Sequence, residues 1–238
     1  MPRSPRRGPG VPRRLPGARE LWVTGTVPLG ATSAAQAAWA RYESAVNEAL
    51  DTFPLHALCT YDARTTPPAV LATARATHPI LNTASGSVPC PACRTPADFL
   101  ATPLAGIPQT PQQTPAVTAR LDVLEDVTSL RDLLRTTVRS ASVVPLEAIE
   151  SLTLAVHEVV TNAFRHGAPP VSVRVWTDLA ETVVQVLDAG PGGLDPLAGY
   201  RFPDAHRSLG LWVARHEVDA LIIDTPPGGG CQVLLVKS

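Results

Sequence analysis

The chain has 238 residues, 45% of them hydrophobic, and a formal net charge of −1. That length allows one or two domains, and the apolar content excludes a wholly disordered chain. The near-zero charge supplies no bulk attraction to nucleic acid or to an anionic membrane. Lys237 is the only lysine, so the basic residues are otherwise arginines, and no basic face of the kind a DNA binder needs is visible. No apolar run approaches the roughly 18 residues of a bilayer span. Arg13-Arg14 ahead of residues 21–29 mimics an export signal, but Glu20, Thr24, Thr26 and Pro28 break its apolar core. The expectation is a cytoplasmic protein without direct nucleic-acid or membrane contacts.

Residues 1–19 are rich in Arg, Pro and Gly without apolar periodicity and are expected to be disordered. Residues 21–27 are β-like. Thr32 can cap a helix in which Trp39, Tyr42, Val46, Leu50 and Phe53 fall at helical spacing, which predicts an aromatic core face. A buried strand is expected over 55–61, and Pro67-Pro68 then opens a short helix carrying Val70, Leu71 and Ala74 that ends before Pro79. Strand–helix–strand–helix order points to a small α/β fragment. Residues 88–118 read as a Pro/Thr/Gln-rich connector interrupted at 97–100. The resulting partition is a tail over 1–19, a first unit over 20–104, a linker over 105–118 and a second unit over 119–238.

Cys90-Pro91-Ala92-Cys93 raises the question of metal or redox chemistry. A zinc site needs four ligands, commonly two such pairs, and a thioredoxin-like pair should open a helix after a strand. Here one pair lies among prolines and small residues, with Cys59 and Cys231 distant in sequence, so an incidental loop pair is expected.

From residue 121 the apolar pattern tightens. A helix over 127–140 turns Leu130, Leu133, Leu134 and Val138 inward. A second helix begins near Pro145, whose missing N–H costs nothing in a first turn. Along it, Leu146, Ile149, Leu152, Val156, Val159 and Ala163 recur every three or four residues, and Gly167 followed by Pro169-Pro170 stops it. Residues 171–176 and 182–187 alternate as strands, 209–218 reads as a helix, and 221–223 and 232–236 are the last strands.

Glu158 and Asn162 lie one turn apart on the second of these helices, with Arg165 and His166 one turn further. An amide oxygen suits a hard Mg²⁺, and a neighbouring acid can orient a water or hydroxyl. That spacing alone is also compatible with a solvated helix face. Downstream come Asp188-Ala189-Gly190-Pro191-Gly192, then Ser208-Leu209-Gly210-Leu211, then Gly228-Gly229-Gly230-Cys231. In order and spacing these segments resemble the N, G1 and G2 boxes of the GHKL ATPase superfamily. Within it the chain is most similar to the small anti-sigma-factor kinases of the RsbW and SpoIIAB type, over roughly its last half.

The resemblance implies an α/β (α+β) fold of the Bergerat type: a two-layer sandwich of a mixed, largely antiparallel sheet and three helices. It implies ATP and Mg²⁺ as cofactors, with Asn162 carrying the metal and Glu158 acting as the base towards water or a protein serine. Asp188 would accept a hydrogen bond from the exocyclic amine of adenine, and Gly190 and Gly192 would let the backbone approach the nucleotide. Arg165, His166 and Arg207 would lie near the phosphates, with Arg201 a further candidate in a lid over 193–207. Gly210, followed by Leu211, would start a helix close to the triphosphate, where N–H groups and the helix dipole favour anions. The implied partners are a sigma factor and/or an antagonist of the anti-sigma factor, with a homodimer compatible with the family. A non-catalytic nucleotide-gated binding module and a fragment related to sensor histidine kinases are the alternatives.

Two departures from the family pattern stand out. Ser208 occupies a position that is usually glycine, and Gly230-Cys231 replaces Gly-Thr, removing a hydroxyl on the adenine side. His157-Glu158-Val159-Val160-Thr161 is similar to a histidine-kinase phosphoacceptor box, but that box ends in proline and sits on a dimerisation helix, whereas Asn162 follows here. Autophosphorylation at His157 is not expected. Finally, Ala57-Leu58-Cys59-Thr60-Tyr61-Asp62-Ala63-Arg64, with Pro68-Ala69-Val70-Leu71 and Thr77-His78-Pro79, resembles the C-terminal portion of a MEDS sensory domain. Without that domain's front strands, an exposed sheet edge is expected.

Overall fold

The computed structural model describes residues 20–26, 33–102, 119–121, 127–141, 145–177, 181–192, 195, 197–201, 209–226 and 228–237. The second unit contains β5 (Ala119–Leu121), α4 (Val127–Ala141), α5 (Leu146–His166), β6 (Ser172–Thr177), β7 (Thr182–Asp188), α6 (Leu209–Glu217), β8 (Ala220–Asp224) and β9 (Cys231–Lys237). Its five strands form one sheet in the order β5-β6-β7-β9-β8. Among the described residues every pairing in that sheet is antiparallel, without the parallel component that the sequence reading allowed.

Strand alternation explains how the sheet joins the helices. Val173, Val175, Val184, Val186, Val233, Leu235 and Leu221 belong to one core cluster with Leu130, Leu134 and Val138 of α4 and Ile149, Leu152, Val156 and Val159 of α5. On the other face of the sheet, Ala220, Ile222, Leu234 and Val236 form a smaller cluster. Successive residues of a strand point to opposite faces, so β8 and β9 supply both clusters. The two-layer α/β sandwich is thus the observed architecture of this half.

The helix α5 carries the sequence reading closely. Pro145 is its N-cap, Ile149 N donates to Pro145 O at 3.1 Å, and Gly167 N closes the C-terminal end on Ala163 O. One residue departs: Leu146 is 60% exposed. It stands at the first helical position, ahead of the turn that meets the sheet, so helical periodicity alone misassigns it to the core.

The first unit holds β1 (Leu21–Thr26), α1 (Ser33–Ala49), β2 (Leu55–Thr60), α2 (Pro68–Thr77), β3 (Ile80–Thr83), β4 (Gly86–Pro89) and α3 (Pro96–Leu100). β1 and β2 pair in parallel, and β1 is exposed at all six residues. The β3–β4 hairpin falls partly where a connector was expected, and α3 packs against α1 with Leu100 buried beside Ala45. Residues 90–102 are therefore folded onto the first unit, and 103–118 lie outside the described residues.

The expected aromatic core of α1 is not what the structure shows. Tyr42 and Phe53 are 46% and 49% exposed, while Ala40, Arg41, Glu43, Ser44, Ala45 and Ala49 are buried. The physical reason is that close neighbours on several sides leave room only for small side chains or for polar ones that find partners. Arg41 donates to Leu100 O at 2.6 Å and Thr102 O at 3.1 Å, and Glu43 accepts from the Tyr61 hydroxyl at 2.6 Å. The helix also ends at Ala49, so Leu50 and Phe53 lie in the following turn. Among the described residues, no helix is long and apolar enough to cross a membrane.

Candidate functional site

The end of β7, the end of α5 and the start of β9 converge on Asp188. Asp188 is opposite Cys231 in the β7–β9 register. Its Oδ1 accepts from Gly190 N at 2.8 Å, and Ala189 N donates to Ala168 O at 2.8 Å, which pins the Asp188 loop to the residue after the α5 terminus. Three glycines make that closeness possible. A Cβ on Gly167 would meet Asp188 Cγ and Oδ1 at 2.5 Å, and one on Gly190 would meet Asp188 Oδ1 at 2.7 Å. A Cβ on Gly230 would run into the Asp188 carbonyl oxygen, and Gly230 also has φ +90°, which side chains disfavour. Gly190 and Gly192 were expected near a ligand; Gly192 (φ +67°) instead abuts Gly230 O and Thr225.

Asn162 stands five residues before Gly167, roughly 7 Å along the helix axis. Its Nδ2 is buried and makes no hydrogen bond to the described residues. Trp39 Nε1, Ser44 Oγ, Arg135 Nε and Arg174 Nε are likewise buried without a hydrogen-bond partner, so the Asn162 amide is a donor open to a water or to a bound group. Glu158 is partly buried one turn earlier on the same helix, and Arg165 and His166 are exposed at its end. Gly210 is buried near the start of α6, while the Leu211 side chain packs against the main core cluster. Arg207 and Ser208 lie outside the described residues. The structure therefore brings Asp188, Gly190 and the C-terminal end of α5 together, and assigns Leu211 a packing contact.

The Cys231 thiol is pushed up to about 11, by burial first and then by Asp188 and Asp224. It is neutral at physiological pH and inert as a nucleophile. A hydroxyl is missing at this place, but no charge is added.

Sequence reasoning missed the contacts of the segment after Gly192. Leu197 is buried with Ala45 and Leu100 of the first unit. Tyr200 lies under the Arg215 guanidinium, 3.7 Å from ring centroid to Cζ. Arg215 donates to Ala198 O at 2.9 Å and Leu221 O at 2.7 Å; burial pushes it down to about 10, which Tyr200 opposes and Arg41 reinforces. Arg201, a candidate phosphate contact, is held by Asp195 at 2.6 Å and by Glu48 of α1 at 2.5 Å. Two carboxylates already neutralise it. Only Leu197 and Tyr200, apolar residues in a Gly/Pro/Asp-rich loop, hinted that this segment packs.

The residues are of the types an adenine nucleotide with Mg²⁺ calls for: a carboxylate held at a glycine-lined strand end, and a buried amide nitrogen without a partner among the described residues. Comparison with known families agrees. Residues 122–237 match the family model described as histidine kinase-like ATPase domain, and residues 12–79 match MEDS, the methanogen/methylotroph, DcmR sensory domain. Among solved structures, the chain is similar to the RsbU and RsbW domains of Rv1364c from Mycobacterium tuberculosis, at 19% identity and TM-score 0.36 over 50% of this chain and 31% of that one. It is also similar to the mycobacterial sensor histidine kinase MprB, at 25% identity and TM-score 0.33, covering 51% of this chain and 97% of that one. A third likeness is to the histidine kinase domain of the Erythrobacter litoralis EL346 blue-light activated histidine kinase, at 20% identity and TM-score 0.31, covering 47% and 58% respectively. The chain thus spans about a third of the first of these structures. No curated protein matches it. The chain carries a GHKL, histidine kinase-like ATPase domain preceded by a MEDS segment.

Proposed function

We propose that this protein is an ATP-binding regulator of the anti-sigma-factor kinase type, which binds Mg·ATP and phosphorylates a serine of an antagonist protein. The observation that carries the reading is the buried, unpartnered Asn162 amide on the helix whose end touches Asp188. Asn162 would hold Mg²⁺ through its side-chain oxygen, leaving Nδ2 to donate to a phosphate oxygen. Asp188 Oδ1 is already engaged by Gly190 N, so Oδ2 is the acceptor for the adenine amine. Gly167, Gly190 and Gly230, by carrying no side chain, let the neighbouring backbone close on Asp188 and hold its carboxylate in place for the purine edge. Bound ATP supplies the transferable phosphoryl group. Glu158 would accept the proton of the attacking serine hydroxyl, and the N-terminal turn of α6 at Gly210 would face the phosphates with the positive end of the helix dipole.

A sigma factor and/or the antagonist are the partners this reading implies, in the cytoplasm, and a homodimer is compatible with it. The test is calorimetric titration of the full chain with Mg·ATP and Mg·ADP beside Asp188→Asn, followed by a phosphoserine assay on candidate antagonists. Saturable binding lost in Asp188→Asn is expected. Absence of binding in a folded wild-type protein would sink the nucleotide site. Binding without phosphoserine on any antagonist would remove the kinase step and favour a non-catalytic nucleotide-gated module.

A further inference from the structure

In the first unit, α1, β2 and the end of α2 bring together three side chains of metal-ligating type. The Glu43 carboxylate, the Cys59 thiol and a His78 ring nitrogen all lie within 4.8 Å of one another. Glu43 is buried at 5% exposure, whereas Cys59 and His78 are half-buried, so the cluster opens to solvent on one side. Nothing in the ATPase site uses these residues.

The hydrogen bonds around the cluster orient it. His78 Nδ1 lies 2.8 Å from Ala74 O, a carbonyl that can only accept, so Nδ1 carries the proton. In the neutral ring the lone pair is then on Nε2, which faces Glu43 Oε1 at 4.0 Å. A histidine that donates its other N–H to a backbone carbonyl is the usual arrangement for a metal ligand. The carboxylate is braced likewise: Oε1 accepts from Tyr61 Oη at 2.6 Å and Oε2 from Thr77 Oγ1 at 3.5 Å. Asn47 Nδ2 in turn donates to Thr77 O at 2.7 Å.

Electrostatics supplies the second reason. A buried carboxylate needs a cation or a proton as well as neutral hydrogen bonds. Among the described residues the only group in an ion pair with Glu43 is His78, at 4.0 Å.

We propose that Glu43, Cys59 and His78 form a binding site for a divalent transition metal of the zinc class, with an open fourth position. One sulfur, one nitrogen and one oxygen donor suit borderline Zn²⁺ better than Mg²⁺ or Ca²⁺, which take oxygen ligands. Three protein ligands with a free position are the arrangement that lets a small ligand reach the metal. Side-chain rotation must shorten the separations towards the roughly 3.5 Å between ligands of a tetrahedral site. The site is separate from Cys90 and Cys93: Cys90 is buried with its thiol on Arg75 O, and neither residue belongs to the cluster.

The full chain, stripped by a chelator, is titrated with Co²⁺ as a spectroscopic probe and then with Zn²⁺. We expect one equivalent to bind, with thiolate-to-cobalt absorption that persists in a Cys90→Ser/Cys93→Ser double variant and is lost in Cys59→Ser. In the unmutated protein, Zn²⁺ should slow iodoacetamide labelling of Cys59 about tenfold or more while leaving Cys93 unchanged, because the metal occupies the sulfur that the reagent attacks. Tyr61→Phe should weaken Zn²⁺ binding by about tenfold through the carboxylate it braces. Equal labelling of Cys59 with and without Zn²⁺, or cobalt absorption that follows Cys90 and Cys93, overturns the site. Because labelling uses the unmutated protein, the result does not depend on whether Cys59→Ser folds.

Discussion

Two helices of this protein carry the same local pattern, a glutamate followed four residues later by an asparagine, and put it to different uses. In α1 the pair is Glu43 and Asn47; in α5 it is Glu158 and Asn162. Asn47 Nδ2 donates to Thr77 O at 2.7 Å, and Glu43 is engaged by Tyr61 and Thr77. Asn162 Nδ2 is buried without a partner among the described residues, on a helix whose end meets Asp188 in a cradle of glycines. The first amide is consumed in holding α1 to the end of α2; the second is left for something that arrives. Helical spacing decides that the two side chains share a face. What the face meets decides whether the pair is scaffold or site.

Mutation of the acids separates the two helices most widely. Glu158→Ala is expected to lower phosphoryl transfer by about 10²–10⁴, the range for removing a positioned proton acceptor, with nucleotide affinity retained in calorimetry. Glu43→Gln should leave Mg·ATP titration unchanged. A comparable loss of ATP affinity in both variants would erase the distinction.

The amides should divide next, this time between stability and binding. Asn47→Ala leaves a buried carbonyl short of its donor and should cost about 1–3 kcal/mol in denaturant unfolding, with ATP affinity untouched. Asn162→Ala removes an amide nitrogen that has no partner among the described residues, so it should cost less stability while abolishing the Mg²⁺ dependence of nucleotide binding. Reversed outcomes would assign the open role to α1.

Cys231 sharpens the picture of the α5-side cradle through pH. Its folded value is raised to about 11 from an ordinary 9.0, with burial the main cause. The native state therefore favours the neutral thiol, and that contribution to stability is complete below about pH 9 and lost as pH rises through about 11. Labelling of native Cys231 should lag behind that of the unfolded chain at pH 8 and climb only towards pH 11. Rapid labelling at pH 8 would mean that the start of β9 is open.

The smallest effect is expected where α1 meets the segment after Gly192. Glu48→Gln breaks an ion pair with Arg201 between partly exposed side chains, and the cost should stay below about 1 kcal/mol. A larger loss in thermal unfolding would show that this contact, with buried Leu197 behind it, carries more of the fold than its exposure indicates.

The two helices also differ in how far they could be read in advance. For α5 the apolar period, the proline at its start and the glycine at its end all agree, and only Leu146 breaks the pattern. In α1 the period picks out Trp39, Tyr42, Val46, Leu50 and Phe53, yet Arg41 and Glu43 are buried while Tyr42 and Phe53 are exposed. Hydrophobic periodicity assumes that polar groups stay in water. It fails where tertiary contacts supply carbonyls and hydroxyls for them.

Sequence by itself determined the elements of the ATPase half, the order of its motifs and the presence of Glu158, Asn162 and Asp188 in an arrangement that resembles a nucleotide site. Those features are local, because periodicity, turn residues and motif spacing are written within a few residues of one another. The tertiary structure alone decided that Gly167, Gly190 and Gly230 close on Asp188, that Leu197, Tyr200 and Arg201 dock on neighbouring elements, and that Glu43, Cys59 and His78 meet. Each of those contacts joins residues on separate elements, and no local propensity encodes a meeting that only the packing of strands and helices brings about.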